Sequence, residues 1–278
     1  MKKTPILFIL LLTMTLAFGQ KKEKLKGSRI VTVVQKEIGE FENLEVEDNL
    51  EVFLVRGEKS ALEIEADDNL QSAIGISLSN GTLRLSVSKE ITGAKKLSVK
   101  VTYTNDLKML IAKDDTNITA LDDIQLDNFT FKTFGSAKVF ANIKVKAFTL
   151  MGNDKSKSEL NVTAENTTID LNKSAQMKAL ISSSKMKFDM YQKATATIEG
   201  DVIDLNLRLD NNANFTGKNL TVKNAVIIME GSASSSINVT NLAVVEISGK
   251  TETELYGECK VDIKKFIDSA SIRKKQVK

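Results

Sequence analysis

Histidine and tryptophan are absent from the 278-residue chain, and cysteine and proline each occur once. Without histidine, the chain cannot build a histidine-dependent triad, a histidine metal site or a histidine general base. A single cysteine excludes an intramolecular disulfide and any multi-cysteine zinc or iron–sulfur site. We therefore predict no catalytic residues, no metal ligands and no cofactor.

The charge balance is close to neutral, with 39 basic and 36 acidic residues giving a net charge of +3. Such a balance gives no strong electrostatic attraction to nucleic acid, so we expect no nucleic-acid partner. Hydrophobic residues make up 42% and charged residues 27% of the chain, which fits neither wholesale disorder nor a membrane bundle.

The N-terminus has the three parts of a secretory signal peptide. Lys2 and Lys3 precede an apolar run over residues 5–16, and Ala17 and Gly19 place small residues before Gln20. The run is shorter than the ~20 residues that a spanning helix needs, so cleavage after residue 19 is favoured over an uncleaved anchor. We predict export to the periplasm or the cell exterior, a solvated basic leader over residues 20–37, and no transmembrane segment in the mature protein.

Apolar residues alternate with polar ones through most of residues 38–106, the pattern of half-buried β-strands. Leu44, Val46, Leu50, Val52 and Leu54 set this pattern. Residues 79–81 (Ser-Asn-Gly) add a hairpin signal between two such segments.

From about residue 107 the chain becomes a repeat. A small residue follows a turn rich in Asn, Asp, Gly and Ser, and it recurs every 18 to 20 residues at Ala137, Ser156, Ala175, Ala194, Ala213, Ala233 and Thr251. About 19 residues suffice for three short strands and three corners, which is one coil of a β-solenoid. The alternative is a β-sandwich with evenly spaced strands, but sandwich strands recur every 8–12 residues.

These patterns predict one all-β domain over residues 38–266, with N-terminal strands in 38–106 packed on or continuous with coils in 107–266. Residues 267–278 are expected to be a frayed basic tail. Because solenoid ends must be capped, residues 38–106 and the segment after Cys259 are the candidate caps. A homo-oligomer stacked through open coil ends is the alternative.

The order of segments resembles a known family. Residues 41–57 (FENLEVEDNLEVFLVRG), 62–70, 80–85 and 97–103 follow one another as in the auto-transporter adhesin, head GIN domain proteins of Bacteroidetes-type bacteria. The resemblance covers residues 38–266 and implies a right-handed parallel β-helix. It carries over no catalytic residue. Members of that family often carry Ser-Gly-Gly-Ser turns, and the turns of this chain lack most of those glycines. If the glycines bind a ligand in the family, that role does not carry over to this chain.

Two pairs of adjacent carboxylates are candidates for calcium binding or acid–base chemistry: Asp67-Asp68 and Asp114-Asp115. Calcium needs several oxygen ligands that converge from neighbouring coils, and no conspicuous arginine lies beside either pair. We favour solvated turn residues. Cys259 has no histidine partner, so a buried inert thiol is favoured over a nucleophile.

Asn-X-Ser/Thr sequons suit the corners and strand faces of a solenoid, so we interpret them structurally. They lie at Asn80, Asn117, Asn128, Asn161, Asn166, Asn172, Asn214, Asn219 and Asn238. Residues 268–270 (Asp-Ser-Ala) resemble a bacterial O-glycosylation acceptor, but a three-residue match is weak. Outward lysines predict a solvated face, with acidic glycans or anionic lipid as the sharper alternative: Lys132, Lys138, Lys144, Lys146, Lys155 and Lys157.

The sequence therefore predicts an exported, non-enzymatic interaction or scaffold module of the cell envelope, adhesin-like, which binds a glycan or a protein through an extended solenoid face. The alternative is a carbohydrate-active enzyme, a polysaccharide lyase or glycosidase, on the same fold.

Overall fold

A computed structural model describes residues 22–276 of the chain. Of the described residues, 68% lie in strands and 2% in helix, and together they form a β-solenoid of about nine turns with a spacing of about 19 residues. The predicted fold class and repeat length are thus confirmed. The predicted signal peptide, residues 1–19, lies outside the described residues.

The described residues contain 21 strands and one short 3₁₀ helix, Asp68–Ala73. The strands are β1 (Lys24–Lys26), β2 (Val31–Glu37), β3 (Asn43–Val46), β4 (Glu51–Arg56), β5 (Ala61–Asp67), β6 (Ile74–Ser79), β7 (Thr82–Val87), β8 (Glu90–Thr92), β9 (Leu97–Tyr103), β10 (Met109–Ala112), β11 (Asn117–Ala120), β12 (Ile124–Thr133), β13 (Lys138–Gly152), β14 (Lys157–Leu171), β15 (Gln176–Met190), β16 (Thr195–Leu209), β17 (Asn214–Met229), β18 (Ser234–Ile247), β19 (Glu252–Tyr256), β20 (Lys260–Phe266) and β21 (Ser271–Lys274).

Each regular coil is one long strand followed by a four-residue turn, as in β14 and residues 172–175. Buried and exposed residues alternate along β14, and the alternation slips once, where Glu165 and Asn166 are both exposed. Neighbouring coils pair in parallel, and every residue of β13 except Lys146 lies beside the residue 19 positions later in β14. Three short strands were expected for each coil. In the structure they form one continuous strand of 15 residues, as in β14.

The turns stack in register along one edge of the solenoid. Their second residue has a positive φ in coil after coil, in the left-handed region that Gly, Asn and Asp adopt most readily: Asp48, Asp114, Gly135, Asp154, Lys173, Gln192, Asn211, Gly231, Gly249 and Asp268. Backbone hydrogen bonds join successive turns, for example from Lys155 N to Gly135 O at 2.8 Å. The small residue that ends each turn, such as Ala137 or Ala175, is buried, which explains why the repeat keeps it small.

The core is a set of side-chain columns parallel to the solenoid axis. Phe131 packs edge-to-face on Phe129 and Phe148, with ring centroids 4.7 and 6.2 Å apart. Further along the axis, Phe188 and Phe215 make the same contact at 5.4 Å. Each coil places only a few apolar side chains inside, so its burial depends on the coils above and below it.

The N-terminal strands continue the stack. Strand β3 pairs with β10 and β7, and β4 pairs with β11 and β9, all in parallel. Antiparallel strands β5, β6 and β2 then close this end.

The leader is predicted to be solvated; most of its described side chains are exposed, and its backbone also pairs with the rest of the fold. Strand β1 pairs with β8, and β2 pairs with β5. The buried Asp67 carboxylate explains this pairing, because it accepts hydrogen bonds from the backbone nitrogens of Arg29, Lys95 and Lys96 at 2.8 to 3.2 Å. A fully buried acceptor of this kind fixes the chain on either side of it.

The C-terminal segment differs from the expected frayed tail. Strand β20 pairs with β18 and β21 pairs with β19, so residues up to Lys274 extend the solenoid by part of a further coil.

Candidate binding groove

A shallow groove of about 520 Å³ runs along the solenoid axis across five successive coils. It lies where β11 and the first halves of β13, β14, β15 and β16 stack side by side. Its lining combines small, apolar, amide and charged residues: Thr119, Ala120, Phe140, Ala141, Asn142, Glu159, Leu160, Asn161, Lys178, Ala179, Leu180, Thr197 and Glu199.

The floor of the groove is the backbone of the core-facing column between its two walls. Ala141, Leu160 and Ala179 are paired across adjacent coils, so they lie directly above one another. Ala141 and Ala179 are each 8% exposed, more than most other core residues, which places their backbone at the bottom of the depression.

One wall is the outward column that contains Phe140, Glu159, Lys178 and Thr197, which are register partners in successive coils. Phe140 is half-buried, so one part of its ring remains accessible from the groove. An aromatic surface next to a carboxylate, an ammonium and a hydroxyl suits a ligand that is partly apolar and partly hydrogen-bonding.

The other wall is the neighbouring column of Asn142, Asn161, Leu180 and Glu199. The Asn161 amide nitrogen donates to the Asn142 amide oxygen at 2.7 Å, so the two amides form a short ladder. Leu180 is 53% exposed, which leaves an apolar side chain in contact with solvent beside these polar groups.

The shape and chemistry of the groove fit an extended polymer. Five stacked strands at a spacing of about 4.8 Å give a track of roughly 19 Å. Amide, hydroxyl and carboxylate groups can exchange hydrogen bonds with hydroxyl-rich ligands, and Phe140 and Leu180 offer apolar contacts. Two glutamates against one lysine disfavour a polyanion.

The structure places Asp114 and Asp115 elsewhere, in the turn between β10 and β11. Asp114 Oδ2 accepts a hydrogen bond from the backbone nitrogen of Asp48 at 3.1 Å. The pair lies at the edge of a separate depression of about 380 Å³ that also contains Lys22. Asp67 holds the N-terminal strands, as described above, and Asp68 contacts the Ser28 hydroxyl. Neither pair reaches the groove.

The six lysines singled out from the sequence do not form one surface. Only Lys138 and Lys157 are neighbours in adjacent coils. Lys144 and Lys146 form ion pairs with Asp123 at 2.7 Å and Asp127 at 2.9 Å. The lysines therefore belong to several outward columns rather than to a single basic face.

Cys259 is partly buried against the core, and this burial raises the pKa of its thiol. A raised pKa lowers the thiolate fraction at neutral pH, which agrees with a structural residue. Asp268, the start of the weak glycosylation motif, lies in a turn where its carboxylate accepts from Gly249 N at 3.0 Å. Among the sequons, Asn161 belongs to the amide ladder of the groove wall.

One pair of carboxylates was missed by the sequence reasoning. Asp170 and Asp189 are register partners on the outward face of β14 and β15. Burial raises the pKa of the Asp170 carboxyl, and the neighbouring charge of Asp189 raises it further. Asp189 pairs with Lys187 at 3.0 Å, and the Arg208 guanidinium lies 5.9 Å from the centre of the Tyr191 ring in the same region.

Within residues 22–276, no group of three or more Cys, Asp or Glu side chains is arranged to hold a metal ion. No helix in this part of the chain is long and apolar enough to cross a bilayer.

Comparison with known proteins decides the family. The sequence profile described as "Putative auto-transporter adhesin, head GIN domain" matches residues 40–181 and 147–259, which together span most of the chain. The chain belongs to this family. The resemblance noted from the sequence is thereby confirmed, and the head GIN domain is the β-solenoid described above.

Solved structures with the same fold come from Parabacteroides species. Two named as putative adhesins, from Parabacteroides merdae and Parabacteroides distasonis, have TM-scores of 0.65 and 0.67 at 17% and 14% sequence identity. One named as a putative lipid binding protein, also from P. distasonis, has a TM-score of 0.65 at 13% identity. Each match covers 92% of this chain and 100% of the other. At such identities these likenesses show that the head GIN fold is shared and nothing more. No curated protein matches the chain.

Proposed function

We propose that the chain is an exported, non-enzymatic, adhesin-like module of the cell envelope, and that it binds an extended glycan along the groove. The observation that carries the proposal is the continuity of the groove over five coils, with apolar and hydrogen-bonding groups on both walls. The family name supports an adhesin-like role. The signal-peptide pattern of residues 1–19 supports export, with the periplasm or the cell exterior as the destination.

The charge of the groove narrows the ligand class. Glu159 and Glu199 outnumber Lys178, so a neutral or weakly basic polysaccharide fits better than a strongly anionic one. The Asn142–Asn161 amides can bond ring hydroxyls, and Phe140 can pack on the apolar face of a sugar.

A binding experiment with a matched control tests this function. The mature chain, residues 20–278, is applied to an array of neutral, basic and acidic polysaccharides, next to a Phe140→Ala/Leu180→Ala variant. The control is Met151→Ala/Ile203→Ala, which removes side chains of comparable exposure, 40% and 49%, from outside the groove. We expect retention on at least one neutral or basic polymer, a loss of about tenfold in affinity for the groove variant, and no change for the control. Retention of no polymer, or equal losses in both variants, would count against the groove.

A carbohydrate-active enzyme is the second candidate, favoured by one observation. Asp170 and Asp189 are stacked, and the raised pKa of Asp170 is a property that a general acid needs. However, Asp170 already accepts a hydrogen bond from the Asn172 amide, and Asp189 is paired with Lys187. Reducing-end release from any polymer that the chain retains, abolished by Asp170→Asn, would establish the enzyme and refute the non-enzymatic proposal.

A further inference from the structure

The two ends of the solenoid are built differently. At the N-terminal end, the 3₁₀ helix Asp68–Ala73 and the β6–β7 hairpin cover the core, and Leu70 and Ala73 are buried. At the C-terminal end, β20 pairs with β18 alone and β21 with β19 alone among the described strands.

Among the described residues, no element covers the core at the C-terminal end. Three buried residues of β18, Ala243, Val245 and Ile247, have their register partners in β20. These partners are Val261, Ile263 and Phe266. They are nevertheless 37%, 53% and 48% exposed, and Ile267 in the following turn is 48% exposed. These four residues form one exposed apolar patch, which we call the end patch. Apolar patches with a polar rim mark surfaces that contact another molecule or a membrane.

The rim of the end patch is basic. Its basic residues are Lys260, Lys264, Lys265, Arg273 and Lys274, which outnumber the acidic residues of the same segment, Glu258, Asp262 and Asp268. Lys264 and Arg273 have acidic neighbours, Asp262 at 3.0 Å and Glu252 at 3.4 Å. Lys260 and Lys265 have no ion-pair partner within residues 22–276.

The charge of this rim distinguishes between possible occupants. Lysines along an edge strand discourage the addition of another strand, and two copies meeting through this end would bring like charges together. An anionic bilayer has the complementary charge and can accept the apolar side chains among its headgroups.

We propose that the end patch docks the solenoid on an anionic membrane surface, with Ile263 and Phe266 entering the interface and the lysines contacting lipid phosphates. This mode of attachment leaves the groove, which ends at Glu199, several coils from the bilayer. It does not depend on the ligand of the groove.

Vesicle co-sedimentation tests the proposal. The mature chain, residues 20–278, is mixed with vesicles of phosphatidylcholine alone or of equal parts phosphatidylcholine and phosphatidylglycerol. The variants are Lys264→Glu/Lys265→Glu, which leaves the core residues in place, and Ile263→Ser, which tests the apolar contact. The matched control is Lys138→Glu/Lys157→Glu, a charge reversal of neighbouring lysines on the side of the solenoid. Circular dichroism establishes that each variant is folded.

We expect binding to the phosphatidylglycerol vesicles only, weakening as salt is raised. The Lys264→Glu/Lys265→Glu variant should bind at least about tenfold more weakly, since each lysine near an anionic surface contributes about 1 kcal/mol. The side control should bind like the unmodified chain. Absence of binding to phosphatidylglycerol vesicles, or an equal loss in the side control, would overturn the proposal. Sedimentation as an end-to-end dimer that leaves vesicles unbound would assign the end patch to a second copy instead.

Discussion

Asp154 Oδ2 lies 3.0 Å from the backbone nitrogen of Gly135, the residue that occupies the same turn position one coil earlier. The other carboxylate oxygen of Asp154 lies 2.6 Å from Lys173 Nζ, one coil later. One side chain therefore connects three successive turns. The same carboxylate-to-backbone contact recurs between Asp114 and Asp48 and between Asp268 and Gly249.

We expect Asp154→Ala to destabilise the chain by about 1 kcal/mol, because Gly135 N loses its side-chain acceptor. Asp154→Asn keeps an oxygen at the same position and should lose less than the alanine variant. Urea unfolding curves of the two variants measure the difference. Equal stability of Asp154→Ala and the unmodified chain would show that the turn contact contributes nothing.

Gly200 occupies a position that leaves no room for a side chain. Its φ is +111°, and an added Cβ would lie 2.2 Å from the carbonyl oxygen of Ile181 in the coil below. We expect Gly200→Ala to cost at least about 2 kcal/mol, from backbone strain together with the clash. The control is Gly39→Ala, where only the flexible Leu78 side chain is near. Thermal melting should separate the two variants clearly, and a Gly200→Ala protein that melts with the control would contradict the coil spacing at this site.

Inward and outward phenylalanines should respond differently to truncation. Phe131 is fully buried between Phe129 and Phe148, so Phe131→Ala should cost about 3–5 kcal/mol through the cavity that it leaves. Phe140 lies on the groove wall, and Phe140→Ala should change stability by less than about 1 kcal/mol. Chemical denaturation measures both, and a large loss for Phe140→Ala would mean that its side chain belongs to the core.

Lowering the pH should reduce the free energy of unfolding of the N-terminal coils, because it protonates Glu45. Burial opposes ionisation of this carboxyl, but hydrogen bonds from Lys113 and Arg84 outweigh burial and hold its pKa at about 2. Because the folded pKa lies below the unfolded value of 4.5, the ionised carboxylate stabilises the fold above about pH 4.5, and this contribution disappears as the pH falls toward 2. Partial exposure of the two cations reduces the effect to about 1–2 kcal/mol.

Glu45→Gln should therefore lose that amount at pH 7 and show a shallower fall in stability between pH 5 and 2. Glu58→Gln, at an exposed position, is the control and should keep the original profile. Stability measured across this pH range in urea tests the sign, and an unchanged acid profile in Glu45→Gln would contradict it.

The regular coils could be predicted from the sequence because each places a small residue, such as Ala175, at a position where stacking leaves no room for more. Spacing also decides which outward residues meet. Lys138 and Lys157 are 19 residues apart and are neighbours, whereas the other singled-out lysines are not at that spacing and fall in different columns. The same 19-residue spacing predicts that Asp170 and Asp189 are neighbours in adjacent coils.

Other features have no periodic signal. The N-terminal strands are placed by Asp67, whose backbone donors, Arg29 and the adjacent Lys95 and Lys96, come from two segments far apart in the sequence. The groove depends on where the surface between the columns of Phe140 and Asn142 becomes concave, and alternation of residues alone does not reveal curvature. These two features could not be predicted from the sequence, because they depend on which strands pair with one another.

The central claim is that the groove binds an extended polymer along the stacked coils. Calorimetric titration with a length series of oligomers of the retained polysaccharide tests it most directly. We predict that affinity rises with each added unit until the oligomer spans the five coils, roughly 19 Å, and then levels off. An affinity that is the same for the shortest and the longest oligomer would indicate a single-unit site and contradict the account.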